Sequence, residues 1–561
     1  LISYLNIYDK MKIKYGFLIG FLTMLCQTAL SADFNDLLPK PANVTEHGGE
    51  LSLKKGFKVS VAKDVPQAMA DEASKFVDAI NATTGLDARV TTGKGLVSLN
   101  YDGVVPAEGY RLAIGKKGIK VSSSTPAGAF YAFQTLKQLL PANVSAGTRA
   151  ESETYTLPLG EIVDEPRYEY RGFMLDVSRH FFDVQEIKKM LDLMAVYKLN
   201  RFHWHLTDDQ GWRLPVAKYP ELTGKGATNK NILLSDFTAQ RQWRAGEDVV
   251  YGPYAYTADD IRDIVEYAGE RHIEVIPEVD MPGHMVAAIN AYPEFSTDPR
   301  SEKIAVHEDF SHEIWNKGGV SRDVLDVSNP KAIQFAKDVV DVLAEFFPYE
   351  YIHIGGDECP TLAWEHSDSC KAMMERLGMK DARALQSWFT KEIADYARER
   401  HGRKVMGWNE LVSEGNVDMD MIKAIDPVIF CWIGGEKESQ EAGLKFVYTP
   451  FNGGYYINRS YKGHDTIGAM KDGALRTTIE VLPPDYSNCI GVQGTFWTEQ
   501  VDRYEDMEYL ALPRLLGIAE QGWSHEREKD YGDFLRRVIK ETEYLRLAGF
   551  NYGAHQLEKK D

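Results

Sequence analysis

Two neighbouring carboxylates are the clearest candidates for chemistry in this sequence. Asp357 and Glu358 follow the glycines Gly355 and Gly356, which free the backbone and leave room for another group to approach closely. A carboxylic acid beside a second carboxylate loses its proton less readily, because the neighbouring negative charge opposes ionisation. The pair therefore suits general acid catalysis. Alternatively, the two acids form a turn and cap the helix that follows.

Further polar and aromatic residues recur at regular intervals in the same part of the chain. Each group follows an apolar segment typical of a strand, so it would lie just beyond the carboxyl end of that strand. Such a series predicts one shared site. In chain order the groups are Arg179 and His180; Asp208 and Asp209; Glu278, Asp280 and His284; Asp357 and Glu358; Trp408 and Glu410; Trp432; Tyr455, Tyr456 and Asn458; Trp497 and Glu499.

The elements that must position these residues alternate strand and helix from residue 166 to 561, the pattern of parallel βα units. Asp183, with Glu186 three residues later, and Thr257 are typical of helix N-caps. Eight such units predict an α/β fold, a (β/α)8 TIM barrel, whose active site lies at the carboxyl ends of the strands. The strand candidates are residues 171–177, 201–206, 273–279, 351–354, 404–406, 428–431, 445–448 and 490–493.

A different pattern precedes the barrel. Residues 32–165 combine short apolar strands, at 57–61, 97–101 and 110–114, with helical stretches. The clearest helix runs between Pro126 and Pro141, where apolar residues recur at helical spacing. The sequence therefore predicts a small α+β domain over residues 32–165.

The adjacency of the two acids limits the mechanism. Neighbouring Cα atoms lie about 3.8 Å apart, whereas ordinary retaining glycoside hydrolases hold a nucleophile and an acid on opposite sides of the sugar, with about 5 Å between the carboxyls. Neighbours on one strand seldom reach both sides. If Glu358 is the acid, Asp357 is better suited to positioning, and the nucleophile is water or a group of the substrate itself. The carbonyl oxygen of a 2-acetamido group could serve, forming an oxazoline.

Several motifs resemble those of glycoside hydrolase family 20, the β-N-acetylhexosaminidases. They are RGFMLDVSRH at 171–180, HWHLTDD at 203–209, EVDMPGH at 278–284 and HIGGDE at 353–358. LPKP at 38–41 and FYAFQTL at 130–136 resemble the α+β domain that precedes the barrel in this family. The resemblance covers essentially all of the sequence beyond residue 31.

The resemblance implies roles for individual residues. Glu358 would be the general acid and later the base for water, Asp357 would hold the acetamido nitrogen, and Tyr456 would bind the acetamido oxygen. The remaining implied residues bind the substrate, wall the pocket or support the acid, and they are Arg179, Asp208, His284, Trp408, Trp432, Asn458, Trp497 and Glu499.

The implied activity is exo-acting, retaining hydrolysis of terminal, non-reducing N-acetylglucosamine or N-acetylgalactosamine through an oxazoline intermediate, without metal or cofactor. The expected partner is therefore an oligosaccharide or glycoconjugate. Asn458, where an Asp is also familiar, and Cys359 directly after the acid depart from many relatives and leave the sugar preference open.

Plainer alternatives stand beside these roles. A tryptophan at a strand end packs in a core as readily as against a ligand. Arg179 could simply pair with Asp176, and His284 could cap its own turn. His203 and His205 share a strand face and suggest a metal site, but they precede the strand end and lack an evident set of further histidine ligands. The sequence therefore favours a site without a metal ion.

Two other functional classes remain open. A catalytically silent glycan-binding barrel would keep the aromatic pocket but is expected to have lost its acid, whereas Asp357, Glu358 and Tyr456 are all present. A metal-dependent hydrolase would be built on His203 and His205.

Composition and the start of the chain bear on location and partners. The 561 residues carry a formal net charge of −19 without a polybasic block, which disfavours nucleic acid and anionic membranes as partners. Lysines after Met11, an apolar run at 16–25 and ALSA at 29–32 predict an export signal within residues 1–31, and a periplasmic or secreted protein. The alternative is an uncleaved anchor, although the run is shorter than the ~20 residues of a membrane span.

Removal of that signal would leave four cysteines, which an oxidising compartment could pair. The preferred bridge joins Cys359 to Cys370. Buried free thiols are the alternative, because sequence alone does not separate the possible pairings.

Overall fold

A computed structural model describes residues 33–152, 154–230, 250–297, 320–451, 454–458, 474–499 and 501–557. The predicted export signal lies outside these residues. Within them, no helix combines the length and the apolar character that crossing a membrane requires.

The first part of the chain forms a seven-stranded mixed sheet in the order β1-β7-β5-β6-β4-β2-β3. Its strands are β1 Asn43–Lys54, β2 Lys58–Val61, β3 Arg89–Thr91, β4 Val97–Tyr101, β5 Tyr110–Gly115, β6 Gly118–Ser123 and β7 Thr154–Asp164. Its helices are Gln67–Thr84, Pro126–Gln138 and Ala142–Ser145, after a 3-10 turn at Phe34–Asp36. Buried and exposed residues alternate along β5, as expected for a strand with one face on a core. The predicted α+β fold is confirmed.

The second part forms a closed barrel of eight parallel strands, in which β18 pairs with β8. The barrel strands are β8 Tyr170–Asp176, β9 Arg201–Asp208, β13 Glu274–Val279, β14 Tyr351–His353, β15 Lys404–Trp408, β16 Val428–Cys431, β17 Phe446–Tyr448 and β18 Cys489–Phe496. Short strands at the rim are β10 Gly211–Trp212, β11 Asn229–Lys230 and β12 Val250–Tyr251. All eight predicted strands are present, and the predicted TIM barrel is confirmed.

Helices cover the outside of the barrel, and two of them begin at the N-caps that the sequence predicts. Asp183 and Glu186 form a reciprocal capping box, and Thr257 forms another with Asp260. The helices are Val184–Val196, Ala258–Gly269, Val286–Ala291, Pro330–Phe346, Leu362–His366, Asp368–Leu377, Arg383–His401, Glu410–Ser413, Met419–Ile425, Glu436–Ala442, Ala474–Glu480, Tyr504–Ala511, Arg514–Trp523 and Tyr531–Leu547. Short 3-10 turns lie at Pro220–Leu222, Pro293–Phe295 and Ala554–Leu557.

Ion pairs made by the buried residues Arg171 and Lys198 fix the first domain against the amino ends of the barrel strands. The two carboxylate oxygens of Glu108 accept hydrogen bonds of 2.8 and 2.9 Å from Arg171, which is fully buried near the start of β8. Lys198, which precedes β9, lies 3.3 Å from Asp164 of β7. The α+β domain therefore supports the end of the barrel opposite the carboxyl ends of the strands.

Removing Glu108 should destabilise the fold, because the Arg171 guanidinium would stay buried without a counter-charge. We expect Glu108→Ala to lower the free energy of unfolding by about 3 kcal/mol in denaturant titrations. The matched control is Glu441→Ala, whose partner Lys437 is 3.7 Å away in a pair that is about 70% exposed on both sides. That change should cost less than about 0.5 kcal/mol. Equal losses in the two variants would contradict the structural role of the Glu108–Arg171 pair.

Candidate active site

A glycine turn after β14 sends the two acids in different directions. Gly355 and Gly356 adopt φ values of +65° and +90°, in the left-handed region that favours glycine. A Cβ on Gly355 would come within 1.9 Å of the Asp280 Oδ1 atom, so no larger residue fits. Beyond the turn, Asp357 is 8% exposed, whereas the side chain of Glu358 is 41% exposed. Neither acid caps the next helix, because its N-cap is Thr361.

Asp280 and Asp357 form a buried carboxyl pair. Asp280 is fully buried, and its Oδ1 atom accepts the N–H of Gly356 at 2.9 Å. Burial, and then the negative charge of Asp357, raise the pKa of Asp280 well above its usual range. Burial raises the pKa of Asp357 as well, but the hydrogen bond between the two carboxyls raises the pKa of Asp280 and lowers that of Asp357, so the proton of the pair lies on Asp280 and the negative charge on Asp357.

His284 connects the Asp357–Glu358 pair to a second group of acids. Its Nδ1 atom lies 3.2 Å from Asp208 and 3.1 Å from Asp209, and its Nε2 atom lies 3.6 Å from Glu358. Burial alone would lower the pKa of His284, but the carboxylates of Asp208 and Asp209 raise it well above its usual range. His284 is therefore an imidazolium that faces Glu358. It does more than cap its own turn.

Arg179 lies beside this group and faces the top of the barrel. Its guanidinium is 2.8 Å from Asp208 and 3.1 Å from Asp176, so the predicted Asp176 pairing exists but is only one of its contacts. It also lies 3.9 Å from Glu499 and over the ring of Trp497, 5.0 Å from the centroid. Burial would raise the pKa of Asp208, but Arg179 and then His284 hold it well below its usual range. Asp208 is therefore ionised.

Glu278 lies beneath these residues inside the barrel and is fully buried. It accepts the indole N–H of Trp408 at 2.7 Å and a hydrogen bond from His205, and it lies 2.9 Å from His203 and 3.0 Å from His353. Burial would raise the pKa of Glu278, but the imidazoles of His205, His353 and His203 hold it well below its usual range. The carboxylate thus organises the floor of the site.

The histidines around Glu278 include the two that suggest a metal site in the sequence. His203, Glu278 and His353 have potential ligand atoms within 4.8 Å of one another, so the fold supplies the further histidine that the sequence did not reveal. However, both oxygens of Glu278 already accept N–H donors, from Trp408 on one oxygen and from His205 on the other. Glu278 is thus fully engaged in hydrogen bonds, whereas neither ring nitrogen of His203 has a hydrogen-bond partner among the described residues, and the absence of a metal stays a prediction.

Aromatic residues form the wall of the site. Trp408 is 1% exposed and its ring centroid lies 5.8 Å from that of Trp497, which is 9% exposed. Tyr456, 2% exposed, lies 6.4 Å from Trp497 and stacks on Trp432 at 6.1 Å with an interplanar angle of 6°. Trp408 therefore packs largely in the core, as the plainer alternative expects, whereas the partly exposed Trp432 has a face available to a ligand.

Asn458 and Glu499 supply polar groups at the rim. The Oδ1 atom of Asn458 is buried and has no hydrogen-bond partner within the parts of the chain that the structure describes. A buried acceptor of this kind suits a donor from a ligand. Glu499 adds a carboxylate beside Arg179.

The preferred disulfide is not formed, and this prediction is wrong. Cys359 and Cys370 are both buried free thiols. The Cys370 thiol is directed to Asp326 instead, at 3.6 Å, and Cys359 packs beside Gly283. Burial raises the pKa of Cys370 to about 11, so this thiol stays protonated at neutral pH. The alternative of buried thiols therefore describes this pair.

The structure adds to the site residues that had no catalytic or substrate-binding role in the prediction from the sequence. Half of them follow predicted strands, and that position was the available signal, whereas His205, Glu278 and His353 lie within predicted strands. Glu278 and Asp280 also share one side of a strand because they are two residues apart. The added residues are His205, Asp209, Glu278, Asp280, His353 and Glu410.

Comparisons with known proteins agree with this geometry. The model of the glycosyl hydrolase family 20 catalytic domain matches residues 168–526, and that of domain 2 of the same family matches residues 35–165. A beta-hexosaminidase of Porphyromonas gingivalis is 35% identical over a match of 535 residues that covers 92% of this chain. This chain spans 64% of that relative's length.

Solved structures give the same result. The GH20 exo beta-N-acetylglucosaminidase of Vibrio harveyi, in complex with N-acetylglucosamine, has a TM-score of 0.76 and 27% identity, over 93% of this chain and 78% of that one. The N-acetyl-beta-hexosaminidase of Streptomyces plicatus, in complex with Thio-NAglucal, has a TM-score of 0.73 and 28% identity, over 92% of this chain and 96% of that one. Since the catalytic-domain model alone covers more than half of the sequence, the chain belongs to glycosyl hydrolase family 20, a family of glycoside hydrolases.

Proposed function

We propose that this chain is an exo-acting β-N-acetylhexosaminidase that releases terminal, non-reducing N-acetylglucosamine or N-acetylgalactosamine with retention of configuration. The observation that carries the proposal is the division between the two adjacent acids. Asp357 is buried against a protonated Asp280, whereas Glu358 is exposed beside the His284 imidazolium. The buried Asp357 is suited to a fixed contact with the substrate, and the exposed Glu358 is suited to proton transfer.

In the first step, the substrate's 2-acetamido group supplies the nucleophile. The Asp357 carboxylate accepts the acetamido N–H, and the Tyr456 hydroxyl donates to the acetamido oxygen, which orients that oxygen toward the anomeric carbon. The oxygen bonds to the anomeric carbon as the bond to the leaving oxygen breaks, and Glu358 gives its proton to that leaving oxygen. Asp357 then stabilises the positive charge of the oxazolinium ring.

In the second step, water reopens the ring. Glu358, now a carboxylate, takes a proton from water as the water oxygen attacks the anomeric carbon, and the acetamide re-forms. Two inversions at one carbon give net retention. The His284 imidazolium lies 3.6 Å from Glu358, beside the acid that gives up its proton in the first step and takes one from water in the second.

The known relatives support N-acetylhexosamine as the sugar that the site accepts. The Porphyromonas gingivalis relative is a beta-hexosaminidase, and the Vibrio harveyi structure contains N-acetylglucosamine. The aromatic wall of Trp432, Tyr456 and Trp497 suits the apolar face of a sugar or the methyl of an acetamide. A silent binding protein would not need the charged contact between His284 and Glu358.

The dependence on the acetamide can be measured by comparing two aryl β-glycosides with the same leaving group. We expect kcat/KM for the N-acetylglucosaminide to exceed that for the plain glucoside by at least about 1000-fold, because only the former brings the nucleophile. Release of the chromophore measures both rates on one enzyme sample. Comparable rates for the two substrates would overturn the proposed mechanism.

Substitution of the two acids should separate their roles. Glu358→Gln removes the proton donor, so we expect about 100-fold or greater loss with a poor alkyl leaving group and a much smaller loss of the first step with an activated aryl group. Asp357→Asn should slow both substrates by about 100-fold, because it removes the negative charge that faces the oxazolinium.

The matched control for these acid variants is Asp368→Asn, which alters an acid that is 95% exposed in the same region. This variant should keep wild-type rates. If Asp357→Asn showed the leaving-group dependence expected of Glu358→Gln, the division of roles would be wrong.

A further inference from the structure

We infer that Glu410 is a specificity-determining residue, whose carboxyl group holds the Trp432 indole in place and thereby sets how large an N-acyl group the pocket accepts. This inference rests on the proposed function, because it concerns the pocket for the 2-acetamido group. Glu410 follows β15 and was noted in the sequence only for its position at a strand end.

The contact between Glu410 and Trp432 is well defined. The indole Nε1 atom donates to both carboxyl oxygens of Glu410, at 3.0 and 3.1 Å, and Glu410 is 5% exposed. The main chain of Trp432 is held as well, because Asn409 Oδ1 accepts its N–H at 3.0 Å and that of Ile433 at 3.2 Å. Two neighbouring residues directly after β15 therefore fix both the backbone and the tip of this side chain.

The position of Trp432 governs the position of Tyr456. Their rings are nearly parallel, and both also contact Phe451, with centroid distances of 5.9 Å from Trp432 and 5.3 Å from Tyr456. A shift of the indole would remove the surface on which Tyr456 packs. Because Tyr456 is proposed to bind the acetamido oxygen, the Glu410 contact acts on the substrate through these two rings.

The protonation state of Glu410 is compatible with this role. Burial, and then the negative charge of Asp357, raise the pKa of Glu410 to about 8, with a smaller effect from Glu358 in the same direction. The Trp432 indole acts in the opposite direction. At pH 6 to 7 Glu410 is therefore mainly neutral and places no additional negative charge beside Asp357, so glutamine is a close replacement in both shape and charge.

A fixed wall allows a pocket to discriminate by size. When two substrates differ by one methylene group that a rigid apolar pocket must accommodate, their kcat/KM values differ by about 10- to 200-fold. If the indole loses its anchor, the wall can move outward, and larger acyl groups should be tolerated better. Loss of Glu410 should therefore change selectivity more than it changes the rate with any single substrate.

The test compares Glu410→Leu with Glu410→Gln on aryl β-glycosides of N-acetyl- and N-butyrylglucosamine. We expect Glu410→Leu, which lacks an acceptor, to lower the ratio of kcat/KM between the two substrates at least about tenfold. Glu410→Gln keeps a carbonyl acceptor and should retain the wild-type ratio within about threefold. Because each ratio is measured on one sample, it does not depend on how much of the protein is folded.

A second variant identifies the partner of Glu410. Trp432→Phe keeps a ring but removes the N–H, so Glu410→Leu should have no further effect on the ratio in that background. An unchanged ratio in Glu410→Leu, or an equal effect of this change with Phe at position 432, would overturn the inference. Failure of the wild-type enzyme to cleave the N-acetyl substrate would instead overturn the proposed function.

Discussion

The close contact between Gly355 and Asp280 is the constraint on which the candidate site depends. The Asp280 carboxyl occupies the space that any Cβ at position 355 would need, and it also binds the next N–H of the turn. The backbone is thereby forced through two left-handed residues, so Asp357 is buried, whereas the side chain of Glu358 is exposed. Two acids that are adjacent in sequence become chemically different because of one packing contact.

Alternating charges then extend this difference through the barrel. Glu278 contacts His205, His205 contacts Asp208 at 2.9 Å, Asp208 contacts His284, and His284 faces Glu358. Burial alone would lower the pKa of His205, but Glu278 and Asp208 raise it to about 10. Isolated buried charges cost several kcal/mol each, so every group in this series depends on the next for compensation. The network is therefore expected to hold the acid in one orientation.

The barrel could be predicted from the sequence in detail, because its signals are local. Apolar runs and the polar residues after them identified all eight barrel strands, and Asp183 with Glu186 identified a helix start. The cysteine pairing failed because spacing along the chain does not show where a thiol points, and Cys370 points to Asp326. The proton on Asp280 and the hydrogen bonds between Trp432 and Glu410 depend on residues that the barrel brings together, so no local sequence pattern predicts them.

The central claim is that Asp357 positions a nucleophile supplied by the substrate and never forms a bond to the sugar. Intact-protein mass spectrometry after rapid quenching of incubations with a 2-deoxy-2-fluoro aryl glycoside and with the N-acetyl substrate tests it most directly. The account predicts unmodified protein in both reactions, because the covalent intermediate of the N-acetyl substrate lies within the substrate and the fluoro sugar brings no nucleophile. A glycosyl adduct mapped to Asp357 would contradict it.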